Sequence, residues 1–363
     1  MKHISRPSYR LSSMTIVVLG SVLTLSLLAG CQQADNAKTT NLSLLEWNGY
    51  QWPEHYPEYI AKYGGQPQFT FLANADDAMQ RMRSGLKVDL VHLCTNQIVE
   101  AKDQGLIRPL DTSKIARWHD ITPELLELPD VRIDNEYWIA PWEWGYSTVA
   151  YNPETIDVEN PTYEIFVDPR FKGKTALTSD VSVNLTIAGV IGGWVVPWDP
   201  TEEEMASAPT IFTRMFENAR FIWTDGTQME QAWAAGDVGI SYVFGSATRR
   251  MTIEGLTNVI VDPVMTWMCG LSLSANGENP EQEAYDYINA MLDPRSGVAL
   301  FDRYGYGHGN SKSVDLIDPN RVVGTGIDDP TGMFARGLYA EKLPPKKKSR
   351  LFQLWYEAQA GLN

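Results

Sequence analysis

Residues 76–91 read DDAMQRMRSGLKVDLV, and residues 228–243 read QMEQAWAAGDVGISYV. Both stretches have the same build: an amphipathic helix, a glycine stop and a short apolar strand. Gly85 and Gly236 stand where a helix commonly ends on a left-handed residue. Strands separated by helices predict parallel sheets of the doubly wound kind. In such sheets a ligand lies beyond the carboxyl ends of the strands, here near His92-Leu-Cys-Thr-Asn and Phe244-Gly-Ser-Ala. One helix–strand unit in each half of the chain implies two similar lobes facing across a cleft. A closed barrel or a single continuous sheet would contradict that reading.

Outward from these units, residues 44–59 read LLEWNGYQWPEHYPEY. Leu42 to Glu46 is a predicted first strand, Pro53 to Tyr63 a helix with proline near its start, and Gly64-Gly65 its stop. Trp47 to Trp52 is then the strand-to-helix loop. Trp47 and Tyr50 follow the strand directly and are candidates for ligand contact. Trp52, Tyr56 and Tyr59 are expected to pack the helix onto the sheet.

The whole chain has 363 residues, enough for about two domains. Its apolar share of 44% and charged share of 21% are those of a globular protein. The first thirty residues differ. Lys2, Arg6 and Arg10 form a basic start, Met14 to Leu28 is an uncharged apolar run, and Leu28-Ala-Gly-Cys31 closes it. That layout reads as a secretory signal, too short for a spanning helix. Its end resembles the lipobox of bacterial lipoproteins, which implies lipidation at Cys31 and a polar tether over residues 32–42. Losing the signal would deepen the formal net charge from −15 to −18. Phosphate binding needs a basic face, so nucleic acid is excluded as a partner. After Cys31, the cysteines are Cys94 and Cys269. In an oxidising compartment they could pair, but sequence alone does not say whether they meet.

Seven pieces come in order: EWNGY, SGLKVDLVHLCTNQIVEAKDQGLIRPLD, APWEWGYSTVAYNPETI, DPRFKGKTALTSD, GDVGISYVFGSA, TWMCGLSLSANGENPEQEAYDYINAML and YGYGHGN. Together they resemble the extracellular solute-binding proteins of ABC importers, most closely the spermidine/putrescine-binding branch. The resemblance runs from about residue 43 to the C-terminus. It implies a two-lobed α/β periplasmic-binding-protein fold that closes on its ligand by a hinge motion. Lobe one would comprise 43–143 and 268–315, and lobe two 144–267 and 316–363, with crossings near Trp144 and Trp267. It also implies a monomer without cofactor or metal, held in the periplasm or at the cell surface by the lipid on Cys31. The expected partners are a small amine and the permease and ATPase subunits of the importer.

In that branch aromatic rings sandwich the methylene chain, and carboxylates take the ammonium ends. A ring face attracts a cation while covering CH₂ groups, and an ammonium drawn out of water needs a charged acceptor. The resemblance carries this role to Trp47, Tyr50, Asp180, Trp267 and Tyr306, and to Glu341 before the last helix. Trp144 matches a tryptophan of the first crossing segment and reads as structural. Two departures stand out. A family carboxylate two residues after Trp267 is here Cys269, and a second, three residues after Asp180, is here Val183. A neutral thiol cannot balance an ammonium, so weaker diamine binding is expected than in the relatives. A further departure is Val243-Phe244 in the second-lobe strand loop.

Other readings remain open. One is a secreted, lipid-anchored carbohydrate-active hydrolase with paired carboxylates in an aromatic groove; another is an interaction protein docking through exposed rings. A third is a binder of the same fold for a ligand other than a polyamine. Within it, His92, Cys94 and Cys269 would be the metal-ligating set.

Overall fold

The structure, a computed structural model, describes residues 38–73, 75–322, 325–339 and 345–361. The leader with Cys31, the tether as far as residue 37, and Glu341 lie outside the described residues.

The first strand, β1 (Thr39–Trp47), starts earlier than expected, so residues 39–42 belong to the sheet rather than to a tether. Leu42, Leu44 and Leu45 are fully buried. Two neighbouring leucines point to opposite faces of a strand, so both are buried only where the sheet is covered on both sides. The expected helix over 53–63 is split. A 3₁₀ turn (Pro53–His55) precedes α1 (Pro57–Tyr63), with Tyr56 between them at φ −142°, ψ 48°. The ring of Pro57 disfavours the helical region for the residue before it. Tyr56 and Tyr59 pack into the core as expected, but Trp52 stays 37% exposed, with the Arg303 guanidinium 4.1 Å from its ring centre.

The chain continues through β2 (Gln66–Leu72), α2 (Ala75–Arg83), β3 (Leu90–Cys94) and α3 (Thr95–Asp103). Next come the long β4 (Ala140–Tyr151), β5 (Thr175–Thr178), α4 (Val181–Ile191) and β6 (Ala219–Trp223). Then follow α5 (Gly226–Ala234), β7 (Ile240–Phe244), α6 (Gly245–Ile253), the 16-residue β8 (Val259–Ser274) and, last, α7 (Pro345–Ala360). The two helix–strand units are therefore α2–β3 and α5–β7. Gly85 and Gly236 take φ of 83° and 73°, as their place after a helix requires.

The strands form one hydrogen-bonded path, β2-β1-β3-β8-β4-β7-β5-β6. It is parallel at both ends and antiparallel around β4 and β8. The expectation of two separate sheets is corrected: β4 and β8 are long enough to belong to both halves and carry the ladder through. The cores are nonetheless two. One gathers buried residues from 42–146 and 264–333. The other gathers 149–261 with Met265, Leu351, Leu354 and Trp355. The change of core falls between Tyr146 and Val149 on β4; on β8 the two cores interleave, Val261 and Met265 packing into the second and Val264 and Met268 into the first, a few residues from Trp144 and Trp267. Residues after 315 were expected in the second lobe, yet Ile317, Val322, Ile327 and Met333 pack into the first core. Among the described residues after 315, only those of α7 join the second. Among the described residues no helix is long and apolar enough to cross a membrane.

Candidate functional site

A cavity of about 520 Å³ opens between the two cores, beside β4 and β8. Trp47, Tyr50, Asp180, Trp267, Cys269 and Tyr306 all line it. Of the predicted ligand-binding residues only Glu341 lies outside the described residues. Trp144 faces away from the cavity. Its ring lies against Gly307, where an added Cβ would come within 2.3 Å, and near Phe334.

The loop after β1 is shaped by a turn. Gly49 takes φ 104°, the Tyr50 N–H donates to the Trp47 carbonyl at 3.3 Å, and the Tyr304 hydroxyl donates to the Gly49 carbonyl. Tyr50 stacks on Tyr304 at 4.9 Å, Tyr304 on Tyr306 at 5.8 Å, and Tyr306 meets Trp267 edge-on at 4.8 Å. These four rings form one continuous wall. Trp267 faces Gly145 in the β4–β8 register, and a Cβ on that glycine would sit 2.6 Å from the indole. A side chain at 145 would push the ring off the strand. Trp198, Tyr242 and the 39% exposed Phe244 add rings from the second half, and Lys348 of α7 also borders the cavity. Asp180 caps α4, its Oδ1 accepting from the backbone N–H of Ser182 at 2.9 Å and of Val183 at 3.4 Å.

The floor differs most from expectation. Cys269 is not a free thiol: its sulfur is bonded to Cys94, directly opposite it on β3. Strand pairing brings the two Cα atoms to 3.9 Å, and the bond closes there. The neutral-thiol account of position 269 is therefore replaced by a disulfide lying at the cavity floor. The metal set of His92, Cys94 and Cys269 falls with it, because neither sulfur is left as a thiolate ligand. Donor atoms of His92, Glu143 and Cys269 do lie within 4.8 Å of one another. Two of these three residues are better explained as an ion pair.

That ion pair is wholly buried. His92 Nδ1 bonds Glu46, and its Nε2 lies 3.5 Å from Glu143 Oε1. Glu46 Oε1 also accepts the Trp47 backbone N–H at 2.7 Å, which fixes the start of the aromatic loop. Burial pulls the His92 pKa down, but the charge of Glu46 and the hydrogen bonds to Glu143 and Glu46 outweigh it and raise it to about 10. His92 is therefore an imidazolium. Burial pushes Glu143 above the ordinary carboxyl range, opposed in part by His92 and Tyr50. Burial and the nearby Glu143 hold Tyr50 well above the usual phenol range, so its hydroxyl stays a donor. Glu143, which lines the cavity, was missed in the sequence. Its signal was there: it is the lone charge in APWEWGYSTVAY, a strand buried along its whole length.

The arrangement lines the cavity with rings and places the carboxylates of Glu143 and Asp180 at its border. It has no nucleophile–base pair of a hydrolase. Residues 56–322 match the family model described as bacterial extracellular solute-binding protein. The spermidine/putrescine-binding periplasmic protein of Salmonella typhimurium is 23% identical over 285 residues, 74% of this chain and 79% of that protein. The putrescine-binding periplasmic protein PotF of Escherichia coli is 20% identical, covering 92% and 97% of the two chains. Among solved structures, the spermidine/putrescine ABC transporter substrate-binding protein PotD of Streptococcus pneumoniae, in complex with calcium and HEPES, superposes with a TM-score of 0.75. It is 19% identical, over 88% of this chain and 99% of that one. The shared fold is the two-lobed α/β periplasmic-binding-protein fold. These relatives bind solutes and are not enzymes, which removes the hydrolase reading. The chain belongs to the bacterial extracellular solute-binding proteins, a family exported to capture small molecules for ABC importers.

Proposed function

We propose that the chain captures a small cationic amine of the polyamine class, such as spermidine or putrescine, and delivers it to an ABC permease and its ATPase. One observation carries this reading: the rings of Tyr50, Tyr306 and Trp267 and the carboxylates of Asp180 and Glu143 border the same cavity. A ring wall favours methylenes and cations together, and carboxylates compensate the ammonium groups. The names of the relatives support the same ligand class. In this reading Trp47, Tyr50, Trp267 and Tyr306 hold the chain of the amine and Asp180 takes one end; the family resemblance adds Glu341 to the ligand-binding set. The lobes close by bending at β4 and β8.

The test is a stability screen of the domain from residue 38 onward against diamines, polyamines, quaternary ammonium compounds and amino acids. A ligand at 100 times its dissociation constant adds about 2.7 kcal/mol. A response to polyamines alone supports the reading, and no response to any amine removes it. Lys348 at the cavity edge favours a second reading, an amine that also carries a carboxylate. In the same screen that ligand appears as an amino-acid response exceeding the diamine response.

Anchoring through a lipidated Cys31 is also part of the proposal. Cys31→Ser should leave an uncleaved or soluble protein, read by membrane partition. A mature mutant that still partitions like the wild type removes the anchor.

A further inference from the structure

Position 269 carries no charge, yet its neighbours do. In the β4–β8 ladder Cys269 lies directly opposite Glu143, and in the β3–β8 ladder directly opposite Cys94. Residues opposite one another in an antiparallel pair point to the same face. Glu143 and the disulfide thus form the cavity floor side by side.

Glu143 is 2% exposed, and its Oε2 has no hydrogen-bond partner among the described residues. A buried carboxylate oxygen left without a donor is costly, and most native groups of this kind are satisfied. The groups facing it are few. Glu46 comes from β1, Tyr50 from the loop after it, and His92 from β3. Tyr304 and Tyr306 come from the segment before the short strand Gly307–His308, and the disulfide sulfurs do not titrate. His308 lies opposite Glu143 on that short strand. Its Nε2 donates to the Met291 carbonyl at 2.9 Å, and its Nδ1 meets the Ser313 hydroxyl at 2.7 Å. Burial lowers its pKa to about 4, so it is neutral. The carboxyl and imidazole groups left at the floor are therefore Glu46, His92 and Glu143.

Two carboxylates and one imidazolium in a dry site balance only if one carboxylate keeps its proton. With both ionised, the trio carries one uncompensated negative charge, which is expensive unless a cation arrives. We propose that Glu143 is the floor anchor for one ammonium of the bound amine, and that it releases its proton to solvent as the ammonium takes its place. The O–H bond of the carboxyl breaks, the proton passes to the buffer, and the carboxylate pairs with the ligand cation. This supplies from β4 the charge that position 269 on β8 lacks. It rests on the amine reading given above.

The experiment is calorimetry of putrescine binding to the wild type and to Glu143→Gln, at several pH values and in buffers of different ionisation enthalpy. The expected wild-type result is release of a substantial fraction of one proton over part of the pH series, with affinity rising as pH rises. Glu143→Gln keeps the shape and the neutral state, so it should fold, bind at least tenfold more weakly and release no proton. Glu143→Asp should recover part of both. Unchanged affinity in Glu143→Gln, or proton release that persists in it, overturns the proposal; the second result would move the proton to His92. Should Glu143→Gln fail to fold, wild-type binding with no buffer dependence at any pH overturns the proposal by itself. Buffer-dependent release in the range where a raised carboxyl titrates supports it. A wild type that binds no amine removes the functional reading and this inference together, an outcome distinct from any of these.

Discussion

Replacing Cys94 and Cys269 together by serine removes the bond that ties β3 to β8 beneath the cavity. The two residues are 175 apart in sequence, so in the unfolded chain the bond closes a very long loop. For a loop of that length the chain-entropy relation gives about 5 kcal/mol, and measured bridges more often give 2–4 kcal/mol. The loop encloses every strand of the second half, while both anchor points sit on strands of the first core. Unfolding of the second core alone leaves the loop ends paired by the β3–β8 ladder, bond or no bond. The loss should therefore fall on the transition of the first core. We expect urea unfolding, followed by circular dichroism and tryptophan fluorescence, to show that transition destabilised by about 3–5 kcal/mol, with a similar slope. Coincident curves for the disulfide form and the double-serine form, within about 1 kcal/mol, would refute the loop argument. A loss confined to the second core would refute the assignment of lobes to cores.

Two further outcomes follow from the site and the histidines. Gly145→Ala should displace the Trp267 ring, costing about 1–3 kcal/mol of stability as overpacking does and weakening amine binding; a variant with wild-type affinity and melting temperature would mean that the ring does not need this glycine. Burial lowers both His55 and His308 to about 4, so both are neutral when folded and protonate near 6.5 when unfolded. Their contribution is fully present above 6.5 and is lost as pH falls toward 4, together about 2.7 kcal/mol per pH unit. His92, raised to about 10, works in the opposite sense: its contribution is full below 6.5 and is lost as pH rises through 10, at about 1.4 kcal/mol per unit. Chemical denaturation at intervals from pH 4.5 to 9.5 should trace a dome with its top near 6.5–7 and the steeper flank on the acid side. A flat acid flank would mean that His55 and His308 take up protons in the folded state.

The helix–glycine–strand units were legible because each is local. A helix period, a glycine able to take a positive φ and an apolar strand all fall within sixteen residues. Trp47 and Tyr50 were legible for the same reason, as they follow a strand directly. The disulfide was not, because Cys94 and Cys269 meet only once β3 and β8 pair across most of the chain. Glu143 escaped for a related reason. Its ion-pair partner His92 comes from β3 and the neighbouring Glu46 from β1, and no local spacing announces a cross-strand ion pair. The continuous ladder was missed because β4 and β8 read as crossing segments, and nothing in their composition says that they hydrogen-bond to both halves. Trp52 was misplaced because a ring beside a proline turn packs or stays exposed according to tertiary neighbours, here Arg303.

The ladder through β4 and β8 also divides the cavity lining between strands and lobes. Glu143 and Ser147 sit on β4, and Thr266, Trp267 and Cys269 on β8, so this part of the cavity lies on the two strands about which a two-lobed binder bends. Trp47 and Tyr50 ride on one lobe and Asp180 on the other. Under the proposed function, an arriving amine would meet the strand-borne half in the open form and gain the lobe-borne half only on closure. Substitutions at Trp267 should then slow capture as well as hasten release, whereas those at Asp180 should shorten the lifetime of the complex and leave the rate of capture nearly unchanged.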